Sequence, residues 1–200
     1  IYITTKAVWQ PLLDMPDAPP GSGSARRALH SATLLQDGRV LFAGGINQTG
    51  VLCSAMLYDP NVAGNWVADA NIGAPTTACA QTHSHAAVQL KDGTVLLNGG
   101  NDGFGETDTS FVYVPGVAPA VGAWSNTSNR VNTKRFGHNA TLLPDGRVMI
   151  VGGSQALGNA LTAVETFDVS VSSWQSVGAL AVARARKHGD AHESLRFARR

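Results

Sequence analysis

The chain has 200 residues, with 15 Lys or Arg against 14 Asp or Glu and a formal net charge of +1. That balance, with only 14% charged residues, leaves no basic footprint for nucleic acid. No stretch reaches the ~18 apolar residues of a helical membrane span, and the 22 glycines suit a compact β protein.

The chain opens with IYITTKAVWQPLLDMP, in which Tyr2 stands seven residues before Trp9. The same aromatic-to-tryptophan interval returns later, with Phe167 seven residues before Trp174 and Tyr58 eight before Trp66. Residues 1–16 are therefore expected to be the two outer strands of an incomplete sheet, and the chain to be a piece of a longer protein.

Residues 17–80 contain the first full unit. HSATLLQDGRVLFAGG runs from His30 to Gly45, and its two apolar runs flank an Asp-Gly pair. Asp-Gly between such runs is a strong hairpin signal, because glycine accepts the positive φ of the turn. Gly44-Gly45 ends the second strand. A polar loop, a third run (LCSAMLY), the turn residues DPN and a fourth run carrying Trp66 complete four antiparallel strands. The expected bounds are 30–35, 39–43, 52–58 and 65–68.

The same unit returns in residues 81–130 and 131–183. HAAVQLKDGTVLLNGG starts at His85 and HNATLLPDGRVMIVGG at His138. In every copy Asp-Gly begins seven residues after the histidine and Gly-Gly fourteen after it. The copies thus carry His85, Gly99, Gly100 and Trp124, then His138, Gly152, Gly153 and Trp174. The histidines are 55 and 53 positions apart, which is one supersecondary unit per repeat. The second strands VLFA, VLLN and VMIV are apolar at almost every position. A sheet with one wet face alternates, so these strands are expected to be covered on both faces. A buried tryptophan hides roughly 150–250 Å², worth ~4–6 kcal/mol gross at about 25 cal/mol/Å². One such anchor per sheet favours blades stacked face to face, an all-β propeller segment.

Residues 184–200 break the pattern. His188 lies fourteen residues after Trp174, where a fourth unit is due, yet Leu195 replaces Asp-Gly and no Gly-Gly follows. This tail holds six basic residues against two acidic ones, a net of +4. It is read as an irregular basic tail or a truncated fourth blade.

Arg27-Ala-Leu-His30, Asp37-Gly38, Gly44-Gly45, Tyr58-Asp59 and Trp66 together resemble a Kelch repeat. Arg135-Phe-Gly-His138, Asp145-Gly146, Gly152-Gly153, Phe167-Asp168 and Trp174 match it again. The middle copy carries Thr82 in place of the arginine and Val114 in place of the aspartate. The LLxDGRVxxxGG flavour is similar to the Kelch domains of the galactose-oxidase superfamily. The resemblance implies four-stranded blades, about three and a half of them here, with the remaining blades supplied by a longer chain or a second copy. In galactose-oxidase-like enzymes a histidine at this strand position, directly preceded by tyrosine, ligates copper. Here the preceding residues are Leu29, Ser84 and Gly137, and no Tyr-His pair exists. The repeat histidines are accordingly expected to be structural, with no catalytic residue, no metal site and no cofactor. Copper enters only under the alternative of an oxidase whose ligands lie mostly outside this chain.

The favoured reading is a binding module for a protein or glycan surface. Its ligand-facing loops precede each histidine or follow each Gly-Gly. They bring forward Arg27, Asn47, His83, Asn101, Asp102, Phe104, Arg135 and Gln155. The acidic loop from Gly99 to Asp108 is differently spaced from a calcium-binding loop and reads as solvated. Cys53 and Cys79 both fall near the seam between the first two units, either as a disulfide or as two buried thiols. Asn47, Asn126 and Asn139 fit the N-glycosylation pattern. With the cysteines, they lean toward a secreted or cell-surface setting.

Overall fold

A computed structural model describes residues 2–3, 8–9, 15, 26–62, 65–73, 79–117, 120–155 and 159–185. The described residues form strands, bridges and turns, with no helix among them. Near the start, β1 (Tyr2–Ile3) pairs antiparallel with β2 (Val8–Trp9), setting Tyr2 opposite Trp9.

Three four-stranded antiparallel sheets follow. The first joins β3 (Ser31–Leu34), β4 (Val40–Ala43), β7 (Ala55–Tyr58) and β8 (Trp66–Asp69) in that order. The small hairpin β5 (Ile46–Asn47) and β6 (Gly50–Val51) projects between β4 and β7. The second sheet joins β9 (Ala86–Gln89), β10 (Val95–Asn98), β11 (Ser110–Val114) and β12 (Ala123–Asn126). The third joins β13 (Asn139–Leu142), β14 (Val148–Val151), β17 (Ala163–Asp168) and β18 (Ser173–Ala179). Its projecting hairpin is β15 (Ser154–Gln155) with β16 (Asn159–Ala160). The innermost strand β9 lies against both β3 and β13, so the sheets radiate from a shared line as blades of a β-propeller segment.

The repeat spacing has local causes. Leu35 N donates to Arg39 O at 2.8 Å and Gly38 N to Leu35 O at 3.0 Å, with Gly38 at φ +88. The Asp-Gly connection is thus a three-residue loop ending in a left-handed glycine, the bulged form of hairpin. Asp37, Asp92 and Asp145 each accept the backbone N–H two residues on at 3.0 Å, which is what the aspartate contributes to the turn. On the third and fourth strands Tyr58 stands opposite Trp66, Tyr113 opposite Trp124 and Phe167 opposite Trp174. Their ring centroids are 5.4, 4.9 and 5.0 Å apart. The aromatic interval in the sequence is this cross-strand register.

The third strand of the first blade begins at Ala55, three residues later than the expected 52. Gly44 and Gly45 both take positive φ and turn the chain out of the ladder, so the residues opposite them leave the regular sheet. Within β10, Val95, Leu96, Leu97 and Asn98 are all buried, as a strand covered on both faces requires. Leu41, Leu57 and Ile72 of the first blade pack on Val95, Leu97, Phe111 and Trp124 of the second. On the opposite face Leu96 meets Val148, Ile150, Phe167 and Trp174 of the third. In β4 and β14 every second residue is only half-buried, because each outer blade has one described neighbour where β10 has two.

The seams also carry polar ties. Asp69 accepts the Tyr113 hydroxyl and the Gly122 N–H (2.7 Å), while Trp124 Nε1 donates to Ala70 O at 3.0 Å. Cys53 and Cys79 form a disulfide across 26 residues, tying the lead-in to β7 to the entry into the second blade. Of the two readings open for these cysteines, the disulfide is the one realised, because the connector returns over the loop that holds Cys53: Ile72 N donates to Cys53 O at 2.8 Å.

Candidate functional site: the loops at the histidine end of the blades

At this end of the molecule every inner strand begins and every second strand stops. Ala28 bridges Ile46, His83 bridges Asn101 and Phe136 bridges Ser154, so in each blade the segment before the histidine pairs with the residue after Gly-Gly. The next blade then locks on. Gly45 N, Gly100 N and Gly153 N donate to the carbonyls of Thr82, Arg135 and Arg184, each at 2.8 Å. Arg184 therefore occupies the place of Thr82 and Arg135, three residues ahead of the repeat histidine. His188, where a fourth unit was expected to start, lies outside the described residues, as does the rest of the tail from 186 to 200.

The histidines are wedges between blades. His85 Nε2 lies 2.9 Å from Ser31 Oγ of the blade before it, and His138 Nε2 lies 2.6 Å from Asn98 Oδ1. Burial holds the imidazoles of His85 and His138 neutral, with pKa lowered to about 3. His83 and His30 add to the shift at His85, and Arg135 and His85 to that at His138. The first glycine of the first and second pairs makes room for the wedge. A Cβ on Gly44 would stand 2.4 Å from Thr82 O and 3.0 Å from His85 Cε1; one on Gly99 would stand 2.6 Å from Arg135 O and 2.8 Å from His138 Cε1.

A copper centre of the kind the sequence resemblance raises does not fit these residues. Leu29, Ser84 and Gly137 occupy the position before each histidine with φ of 61, 55 and 63. Ser84 N donates to Leu29 O (2.9 Å) and Gly137 N to Ser84 O (2.8 Å), so these residues stitch the blades along the inner line. A tyrosine there would be strained by the left-handed backbone. Among the described residues no three His, Cys, Asp or Glu side chains are grouped to hold a metal ion.

The eight loop residues expected to face a ligand divide sharply. Arg135 is fully enclosed: Nη1 donates to Gly152 O (2.8 Å) and Ala163 O (3.1 Å), Nε donates to Thr133 O (3.1 Å), and Nη2 pairs with Glu165. It offers a ligand nothing, and its place on the binding face is corrected to an internal brace. Arg27 repeats the brace half-buried, donating to Gly44 O and Ser54 O at 3.0 Å each. In the middle blade Thr82 Oγ1 reaches Gly99 O at 3.2 Å with a shorter side chain. Both arginines hold the point where Gly-Gly leaves the second strand. His83 is buried too, its Nδ1 2.9 Å from Ser84 Oγ.

Glu165, buried at 0% exposure, was not legible as part of this end. Its carboxylate accepts Asn132 N and Nδ2 at 2.8 Å and Thr133 N at 3.1 Å besides Arg135. Its one sequence signal is an acid in the middle of the third-strand run AVETFD.

Asn47 and Gln155 stay half-buried on the projecting hairpins of the outer blades. Asn101, Asp102 and Phe104 share one loop of the middle blade, and Phe104 is 98% exposed. Beside them is a concavity of about 220 Å³. A larger one of about 520 Å³ opens at the opposite end, between the Asp-Gly turns of the second and third blades. Its charges are largely committed to each other or to their own turns, with Arg147 on Asp145 at 2.7 Å and Asp168 accepting Ser170 N at 2.9 Å.

The sheets and their radial stacking define a β-propeller-like protein. No family model and no curated protein matches the chain. A solved structure described as "Structure of YjhT" is similar to it, with a TM-score of 0.64 at 16% sequence identity. The likeness covers 80% of this chain and 57% of that one, so the chain spans little more than half the length of this neighbour. At that identity the two share a fold.

Proposed function

We propose that the chain is a Kelch-repeat propeller segment acting as a binding module, which meets a protein or glycan surface through the loops at the histidine end. One observation carries this reading: the side chains that repeat from blade to blade are used up in holding the blades. The histidines and arginines bond to neighbouring backbone and side chains, Gly-Gly receives the next blade, and the tryptophans pack on cross-strand aromatics. What differs between blades is left at the loops, where propellers carry recognition. Fold alone does not assign a ligand, so the experiment must read the loops directly.

The test replaces residues 101–106 (NDGFGE) with the blade-one hairpin INQTGV from residues 46–51. Parent and swapped chains are probed on a glycan array and on a displayed-peptide library. Selective binding by the parent, lost in the swapped chain at unchanged thermal stability, supports the module. Equal binding by both, or by neither, overturns it.

A further inference from the structure

We infer that the concavity beside Phe104 is a subsite for one neutral hexopyranose unit of a glycan, an assignment that rests on the binding-module reading. A pyranose has two chemistries: a flat C–H face that leaves water readily, and a rim of hydroxyls that need directional partners. Both have counterparts here. Phe104 presents its whole ring to solvent. Gln81, Asp102, Thr107 and Thr109 line the same 220 Å³ space with an amide, a carboxylate and two hydroxyls that lie 3.1 Å from each other, with Ala80 as an apolar wall. That volume equals roughly seven waters at about 30 Å³ each, room for one ring and too little for the ~300–1,000 Å³ of a drug-sized ligand pocket.

A lone exposed apolar side chain is ordinary on a protein surface. Here the backbone around it is held. Asp102 Oδ1 accepts Phe104 N (2.8 Å) and Gly105 N (2.9 Å), and Asn101 Oδ1 accepts Gly103 N (2.8 Å). Asp102 N donates to Gly105 O at 3.1 Å, and Asn101 bridges Glu106 at the base. Every amide at the tip already has an acceptor, so the backbone that carries the ring is held and little backbone ordering entropy remains to be lost on binding. The opposite wall is fixed too, because Cys79 is tied to Cys53. The loops INQTGV and SQALGNA of the outer blades contain no aromatic residue, so the feature belongs to the middle blade alone.

Charge sets the class of sugar. Asp102 and Glu106 border the loop, and Arg130 is engaged by Asp108 at 2.9 Å. An anionic sugar would meet carboxylates, whereas neutral hydroxyls can donate to Asp102 Oδ2, since the loop amides occupy Oδ1.

The probes are the methyl glycosides of glucose, galactose, mannose and N-acetylglucosamine, titrated at millimolar concentration with saturation-transfer NMR. Phe104 lies outside the core, so Phe104→Ala and Phe104→Trp keep the fold, which a thermal melt verifies. The expected result is transfer to at least one glycoside, strongest on its C–H face. Phe104→Ala weakens that binding at least about tenfold, while Phe104→Trp retains it. Glycoside binding that survives Phe104→Ala but is lost in the loop-swapped chain overturns the subsite and leaves the module standing. Binding to displayed peptides with no glycoside response overturns it and leaves the module standing. No selective binding of either kind, in the loop-swap test, is the separate failure of the module itself.

Discussion

Replacing Gly99 by alanine tests whether the blades lock through the glycine pairs. Gly99 sits at φ +60, and a Cβ there would lie 2.6 Å from Arg135 O and 2.8 Å from His138 Cε1. Holding a non-glycine residue in the left-handed region costs roughly 1–2 kcal/mol. Relieving the overlap costs a further ~1–3 kcal/mol. The Arg135 carbonyl cannot yield freely, because Gly100 N donates to it at 2.8 Å, and leaving that buried donor unpaired costs about 1–3 kcal/mol. The expected loss is about 3–8 kcal/mol, a large share of the ~5–15 kcal/mol that holds a typical domain. Gly146→Ala is the control: its φ is +95, but the nearest atom to a new Cβ is Lys91 Cδ at 3.8 Å. The backbone penalty and the unfolded-state entropy change are nearly common to both variants and largely cancel. Urea unfolding reads the difference, and at an m-value of ~1–3 kcal/mol/M a contact cost of about 3 kcal/mol separates the midpoints by roughly 1–3 M. Coincident midpoints would refute the locking role of the glycine pair.

Stability should also fall in acid. His85 and His138 titrate near 3 when folded and at ~6.5 when unfolded. The unfolded chain therefore binds the extra protons as pH drops below 6.5, and their stabilisation, complete above 6.5, is lost progressively down to about 3. By pH 4.5 each contributes a loss of about 2–3 kcal/mol. In urea melts at pH 7 and 4.5, His138→Gln should remove about half of this dependence; an unchanged dependence would remove His138 as a cause. Reducing the Cys53–Cys79 bond, or replacing both cysteines by serine, should cost about 3–4 kcal/mol for the 26-residue loop it closes, read as a drop in melting temperature. Arg135→Met alone leaves the Glu165 carboxylate buried without its ion-pair partner and should cost roughly 3–5 kcal/mol. Arg135→Met with Glu165→Leu should recover much of that in the same melts; a double variant no better than the single would show that the Asn132 and Thr133 contacts, and not the ion pair, hold the site.

What the sequence determined by itself was everything within a blade that neighbours along the chain could settle. The Asp-Gly turn closes through bonds between Leu35, Gly38 and Arg39, all inside five residues, and the tyrosine–tryptophan interval is the register of two adjacent strands. The unbroken apolar runs announced burial on both faces, and β10 shows it in full. The form of the turn was less legible, since Asp-Gly serves both the two-residue and the bulged loop; only the backbone at Asp37 and Gly38 chooses. Only the tertiary structure decided the fate of the polar residues, because their partners come from other strands and blades. His85 meets Ser31 54 residues away, His138 meets Asn98 40 away, and Arg135 meets Glu165 30 away. An arginine three residues before a histidine looks like a surface residue until the second and third strands fold over it. Phe104 is the converse: an aromatic that composition would send inward stands in solvent, because Asn101 and Asp102 satisfy the loop backbone and, among the described residues, no strand passes above it.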